Sequence, residues 1–304
     1  MRALGETNMK LVTFDKNGQG TLGAILPEGI LDLPAAGERL SKPVPASMQA
    51  LIDSGPCSWD VARELIATSP EECILPHATL LPPLPRPVRV RDCCLFLEHL
   101  EASFKTAGFP FSEEFRKQII YYNADNIHIY GHDQDVPWPA NSVTRDYELE
   151  WACVVGRPGT DIPQAEARDY IFGYTIFNDW SARDLQIPFM TCQLGPGGGK
   201  DFANSFGPCI VTTDEVPNPY ALGMQARING ETWSNGSTSS MHHTFEDALV
   251  QLSKGRPMVP GEILGSGTVL NGCGLEIGRE LELGDVVELE VEGVGILRNR
   301  LVAG

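Results

Sequence analysis

The sequence predicts an α+β fold in which strands dominate, with a small N-terminal β-rich domain over residues 1–80 and a larger domain over residues 81–304. Three observations predict it. Strand-like runs separated by turn residues outnumber helical runs. Glycine (31) and proline (23) are plentiful, as many turns and short strands require. The stretch Leu81-Pro82-Pro83-Leu84-Pro85-Arg86-Pro87 puts four prolines into six residues, which excludes a helix and marks the boundary between the domains.

Taken in order, the first eight residues, through Asn8, read as an extension. Leu11–Phe14 and Thr21–Leu26 are strand-like and flank the turn residues Asn17-Gly18-Gln19-Gly20; Ile30–Leu33 follows a Pro27-Glu28-Gly29 turn. Ser47–Asp53 reads as a helix ending at Gly55, and Trp59–Ala67 as a helix capped by Ser58. Past the prolines, Cys93–Lys105 reads as a helix with Asp92 at its start. Thr106–Lys117, with three phenylalanines, reads as a loop able to cover a site. Strands are expected at Tyr147–Val155, Tyr170–Phe177, Cys209–Thr213, Gln225–Ile228, Ile263–Leu270, Val286–Val291 and Ile296–Val302. Asn229-Gly230 marks a hairpin. The helix Phe245–Ser253 has Thr244 as its cap and Gly255 beyond its end.

A chain of 304 residues buries enough surface to fold without disulfides or a structural metal. The formal net charge of −17 argues against nucleic acid or an anionic membrane as partner. It also requires local cations wherever an acidic small substrate binds. The eight cysteines contain no Cys-x-x-Cys pair, so neither a zinc ribbon nor a dithiol redox motif is supported. No apolar run is long enough to span a bilayer, and the chain starts without an apolar leader; free thiols and a cytoplasmic location are the expectation.

The chemistry concentrates in four places. In Asp146-Tyr147-Glu148-Leu149-Glu150-Trp151, strand alternation puts Glu148 and Glu150 on one face and the apolar residues on the other. Such a carboxylate pair is either a solvated strand face or is bridged by a cation. Asp179 stands where an apolar strand turns into a short helix, as a cap or as a group aimed into a pocket. Three carboxylates with no His or Cys among them suit Mg²⁺, Mn²⁺ or Ca²⁺ rather than zinc. Gly195-Pro196-Gly197-Gly198-Gly199-Lys200 fails as a phosphate loop, because Leu194 stands where the motif opens and Asp201 where Ser or Thr should follow the lysine; it reads as a glycine-rich loop that delivers Lys200. Asp92 and His99, seven residues apart on the expected helix, would share one face.

Together these motifs resemble the fumarylacetoacetate hydrolase family. The resemblance rests on Asp146-Tyr-Glu-Leu-Glu150, Gly173-Tyr-Thr-Ile-Phe-Asn-Asp179, Ser181-Ala-Arg-Asp-Leu-Gln186, Gly199-Lys200-x-Phe202, Gly265-Ser-Gly-Thr268 and Leu283-Gly-Asp-Val-Val-Glu288, and spans roughly residues 88–302. It implies a mixed β-roll catalytic domain, a homodimer, and Mg²⁺, Ca²⁺ or Mn²⁺ held by Glu148, Glu150 and Asp179, with Asp92 as a fourth carboxylate. It implies His99 as general base, oriented by Glu276 in Gly272-Cys-Gly-Leu-Glu276. Arg183, Gln186, Lys200 and Thr268 match substrate contacts, and Tyr122 a further one. The interval between Gln186 and Lys200 carries one extra residue.

The implied activity is metal-dependent hydrolysis of a carbon–carbon bond in a 1,3-diketo acid of the fumarylacetoacetate or acylpyruvate type. The alternatives are a metal-dependent decarboxylase or isomerase of a β-keto acid such as oxaloacetate, and a non-catalytic metabolite-binding protein. The pairing of His99 with Glu276 favours hydrolysis, because decarboxylation needs no activated water.

Overall fold

The computed structural model describes residues 9–304, so the proposed N-terminal extension lies outside the described residues. A large mixed sheet runs through the molecule. Its order is Ile74–Leu75, Gly29–Asp32, Gln19–Leu26, Lys10–Lys16, Asn204–Thr212, Ile171–Asp179, Leu149–Val155, Glu262–Gly265, Arg89–Cys93 and Tyr121–Ala124. The N-terminal strands thus belong to the same sheet as the later ones, joined where Lys10 pairs with Val211. The proline-rich segment is a boundary in sequence across which the sheet continues.

A second sheet, in the order Glu231–Ser237, Gly223–Ile228, Val286–Val291, Gly295–Ala303 and Asp135–Trp138, packs on one face of the first. Strand alternation supplies this core. Leu149, Trp151 and Cys153 point to one side and meet Tyr174, Leu289 and Leu297. Trp151 stacks on Tyr174 at 5.0 Å and packs against Phe245 at 4.9 Å.

The opposite face carries Ala152, Val154 and Phe172 and is covered by the N-terminal helices Leu33–Leu40, Met48–Ser54 and Pro56–Thr68. Ser47 caps the second of these, as its hydroxyl suggests. The third starts earlier than expected, because Gly55 and Pro56 rather than Ser58 open it. The first was not anticipated; Asp32 ends a strand and caps the helix at once.

The largest departure from the sequence reading concerns residues 89–96. Arg89–Cys93 is a strand, paired in parallel with Glu262–Gly265 and antiparallel with Tyr121–Ala124, and the helix runs from Leu97 to Ala107. Asp92 therefore does not share a helix face with His99. The alternation Val88-Arg89-Val90-Arg91 is a strand signal, and its position beside the prolines hid it. The hairpin Asn229-Gly230 has both residues at positive φ, 50° and 83°, as a two-residue turn requires. The helix Phe245–Leu252 has a complete capping box between Thr244 and Asp247.

Candidate active site

Three strand ends meet at one edge of the helix-covered face. Glu150 lies opposite Phe177, two residues before Asp179, and Asp92 lies opposite Gly265. Gly265 is required there: a Cβ at this position would sit 2.8 Å from Asp92 Oδ1 and 2.9 Å from the Phe177 ring. Its absence lets the carboxylates of Asp92, Glu150 and Asp179 converge, with one oxygen from each within 4.8 Å of the others. All three are buried, as is Glu148. The solvated-face reading of Glu148 and Glu150 therefore fails, and Asp179 caps no helix.

The four carboxylates divide in two. Glu148 is satisfied: Lys200 Nζ donates to its Oε2 at 2.6 Å, and Arg183 Nη2 lies 2.9 Å from its Oε1. Burial alone would raise its pKa, but Lys200 and then Arg183 pull it below the ordinary carboxylate range. Glu150 is not satisfied. Thr268 Oγ1 donates to its Oε1 at 3.2 Å, while its Oε2 is buried without a partner. Burial and the neighbouring Asp92 hold its pKa well above the usual range. Burial, then repulsion from Asp179, pushes Asp92 up to about 8. Asp179 rises to about 6, again chiefly through burial. Its Oδ2 accepts from Lys200 Nζ at 2.5 Å and from the Tyr122 hydroxyl at 2.5 Å, and its Oδ1 has no partner.

This is the donor set of a hard divalent cation. It has oxygen ligands only, two of them orphaned in the interior, and more negative charge than Lys200 and Arg183 neutralise. Asp92, Glu150 and Asp179 could hold such an ion. Glu148, expected beside them, meets Lys200 and Arg183, and Lys200 meets Asp179 as well.

A cavity of about 300 Å³ opens above this floor. Its far side is the helix Leu97–Ala107, whose residues 99, 100, 103, 104 and 107 face inward at helical spacing, with Phe96 at its cap. The structure thus brings His99 to the cavity by a separate element from Asp92. His99 Nδ1 lies 2.8 Å from Glu276 Oε2, and the Ser103 hydroxyl lies 3.3 Å from the same nitrogen. Lys200 arrives from the glycine-rich loop, where a side chain on Gly199 would collide with the Ala182 carbonyl oxygen at 2.6 Å. Gln186 accepts from Arg183 Nη1 at 2.9 Å.

Sequence reasoning passed over Asp146 as a site residue. Its carboxylate accepts from the backbone N–H groups of Gly274 (2.6 Å) and Leu275 (3.1 Å) and from Arg183 Nε (2.8 Å). It therefore ties the turn that carries Glu276 to the arginine beside Glu148. Arg183 Nη2 adds ion-pair contacts of 2.7 and 2.9 Å to Asp146 and Glu148 without hydrogen-bond alignment. The signal was present: Asp146, Glu148 and Glu150 extend one alternating row.

Residues 90–302 match the family model described as fumarylacetoacetate (FAA) hydrolase, C-terminal. The oxaloacetate tautomerase YisK of Bacillus subtilis is 29% identical over 309 residues, covering 96% of this chain and all of that protein. The solved structure of a fumarylacetoacetate hydrolase from Exiguobacterium antarcticum superposes with a TM-score of 0.78 at 25% identity, covering 97% of this chain and 100% of that one. A maleylpyruvate hydrolase from Sphingobium sp. SYK-6, solved with manganese(II) and pyruvate, shares the fold at 20% identity, with a TM-score of 0.74 over 97% of this chain and 100% of that one. Among the described residues no helix is long and apolar enough to cross a membrane.

Proposed function

Because the chain belongs to the fumarylacetoacetate hydrolase family, we propose that it is a divalent-metal-dependent hydrolase that cleaves a carbon–carbon bond in a 1,3-diketo acid. The observation that carries this reading is the 2.8 Å contact between His99 and Glu276, lining a cavity whose opposite wall is the acidic cluster. Glu276 accepts from Nδ1–H, which leaves the lone pair of the neutral ring on Nε2, with the Ser103 hydroxyl 3.4 Å away, to take a proton from water. The water oxygen adds to the carbonyl carbon of the acyl group, and the bond to the neighbouring methylene carbon breaks. That carbon leaves with the bonding electron pair as an enolate and recovers a proton from the His99 imidazolium. The products are a carboxylic acid and a 2-oxo acid.

Held by Glu148, Glu150 and Asp179 together with Asp92, a divalent ion of the Mg²⁺, Mn²⁺ or Ca²⁺ type would supply the positive charge that polarises the substrate's keto oxygens. In this reading Lys200 and Gln186 stabilise oxyanion charge, Arg183 meets a substrate carboxylate, and Thr268 and Tyr122, which touch Glu150 and Asp179, complete the substrate contacts. A homodimer belongs to the same reading, and light scattering at micromolar concentration tests it.

Tautomerisation of a β-keto acid is the second reading, favoured by the full-length likeness to an oxaloacetate tautomerase. Purified protein assayed with Mg²⁺ or Mn²⁺ on acylpyruvates and on oxaloacetate separates the two. Carboxylic acid release from a diketo acid supports hydrolysis. Accelerated keto–enol exchange of oxaloacetate, with no diketo acid cleaved, makes tautomerisation the function.

A further inference from the structure

Opposite the acidic floor, the cavity wall is apolar. Along the helix Leu97–Ala107 the inward row begins with His99 and Leu100, passes Ser103, whose hydroxyl is turned to His99, and continues through Phe104 to Ala107. At about 1.5 Å of rise per residue, Phe104 lies roughly 7.5 Å and Ala107 about 12 Å beyond His99 along the helix axis. Phe109 and Phe115 close this end, with their rings 6.2 and 5.4 Å from that of Phe104, and Met190 lines the cavity with them.

The charges are elsewhere. Among the described residues that line the cavity, only Arg183 and Lys200 are cations, and both are paired with Asp146, Glu148 or Asp179 at the floor. Arg116, on the same covering segment, is turned outward. It pairs with Glu101 and Glu113 and lies over Phe111, which does not line the cavity. A second carboxylate at this end would lose its hydration and meet no cation, whereas a hydrocarbon group would gain.

We infer that this wall is an acyl subsite, and that the substrate is a diketo monocarboxylate whose acyl group is an uncharged aliphatic chain or aromatic ring. The inference rests on the hydrolase reading for the identity of the group that enters, and on the cavity alone for its polarity. The substrate lies with its 2-oxo acid end at the floor and its acyl tail along the helix past His99. Specificity then comes from area buried against Leu100, Phe104, Phe115 and Met190.

Two measurements test it. The first compares kcat/KM for acetyl-, hexanoyl-, benzoyl- and fumarylpyruvate. Hexanoyl- and benzoylpyruvate are expected to exceed acetylpyruvate by at least about tenfold, since each buried methylene is worth roughly three- to fourfold. Fumarylpyruvate, with its terminal carboxylate, is expected below both. Phe104→Arg places a cation in the wall, and should raise the fumaryl-to-hexanoyl ratio by at least about tenfold. Met190→Ala should lower the hexanoyl-to-acetyl ratio.

The second reads equilibrium binding without turnover, by calorimetry in the presence of Mn²⁺, for pyruvate, 2-oxooctanoate, phenylpyruvate and 2-oxoglutarate. Affinity should rise with the apolar tail and fall for the dicarboxylate. If the binding order holds while no diketo acid is cleaved, the subsite stands and the hydrolase reading falls. If diketo acids are cleaved but fumarylpyruvate equals or exceeds hexanoylpyruvate, or if 2-oxoglutarate binds as well as 2-oxooctanoate, the apolar subsite is overturned.

Discussion

Asp92, Glu150 and Asp179 sit on strands that are hydrogen-bonded to neighbours on both sides, whereas the wall facing them is a helix followed by a loop, with no sheet partner. The floor is charged and fully buried, and its backbone is fixed by a ladder. The wall is aromatic and half-buried, held by ring contacts among Phe104, Phe109, Phe111 and Phe115. The difference teaches a division of labour. Carboxylates that repel one another stay converged only where the backbone cannot relax, so the acidic cluster needs the sheet. A surface that selects by apolar area tolerates looser support, because dispersion and water exclusion are not directional. His99 links the two: it is carried by the wall and held by Glu276, whose turn is tied through Asp146 to the floor.

Breaking the floor should have the largest effect. Glu150→Gln, or dialysis against EDTA, should lower turnover by about 10³-fold or more, since a bound ion contributes several kcal/mol of charge stabilisation. Calorimetry should show weakened Mg²⁺ or Mn²⁺ binding in the variant. Full activity in excess EDTA would remove the ion from the mechanism and with it the reason for the floor's design.

Next comes the base. His99→Ala should lose at least about 10²-fold in kcat on a good diketo acid while metal affinity changes little. Near-wild-type cleavage by this variant would sink the assignment and make tautomerisation the better reading.

The floor's electrostatics predict a pH effect that the wall cannot produce. With Asp92 pushed up to about 8 and Asp179 to about 6, protons compete with the metal below those values. Apparent Mn²⁺ affinity should rise by at least about tenfold per unit between pH 6 and 8, because Asp92 and Glu150, both with raised pKa, must give up protons to the ion. The sign for stability is the reverse. Both carboxyls bind protons more tightly folded than unfolded, so the metal-free protein should lose stability as pH rises from about 4, the unfolded carboxyl range, to about 8. Thermal unfolding at pH 6 and 8 should therefore give a larger Tm gain on adding Mn²⁺ at pH 8. A metal-induced gain that shrinks with pH would contradict the buried-carboxylate account.

The smallest effect belongs to orientation. Glu276→Gln keeps an acceptor for Nδ1–H but removes the charge that stabilises the imidazolium, and should cost about tenfold in kcat with KM and metal affinity unchanged. A loss as large as that of His99→Ala would mean that Glu276 does more than hold the ring.

Local pattern determined much of this protein. The alternation through Asp146, Glu148 and Glu150 put the acidic row on one face, Thr244 and Ser47 set helix starts, Asn229-Gly230 set a hairpin, and the glycine-rich loop delivered its lysine. These are properties of neighbours in the chain, governed by periods of 2 and 3.6 residues and by φ preference. Tertiary structure decided the rest. That Arg89–Cys93 is a strand, and that the helix waits until Leu97, depended on a partner strand some 170 residues away, in which Gly265 makes room for Asp92. Which carboxylates of the row stay unpaired depended on where Lys200 and Arg183 arrive, and this separates Glu148 from Glu150 although the two share a face. The polarity of the wall depended on bringing Leu100, Phe104 and Met190 to one cavity from two helices. Alternation assigns a side chain to a face, but desolvation and charge pairing depend on what the fold sets against that face, and no local period records it.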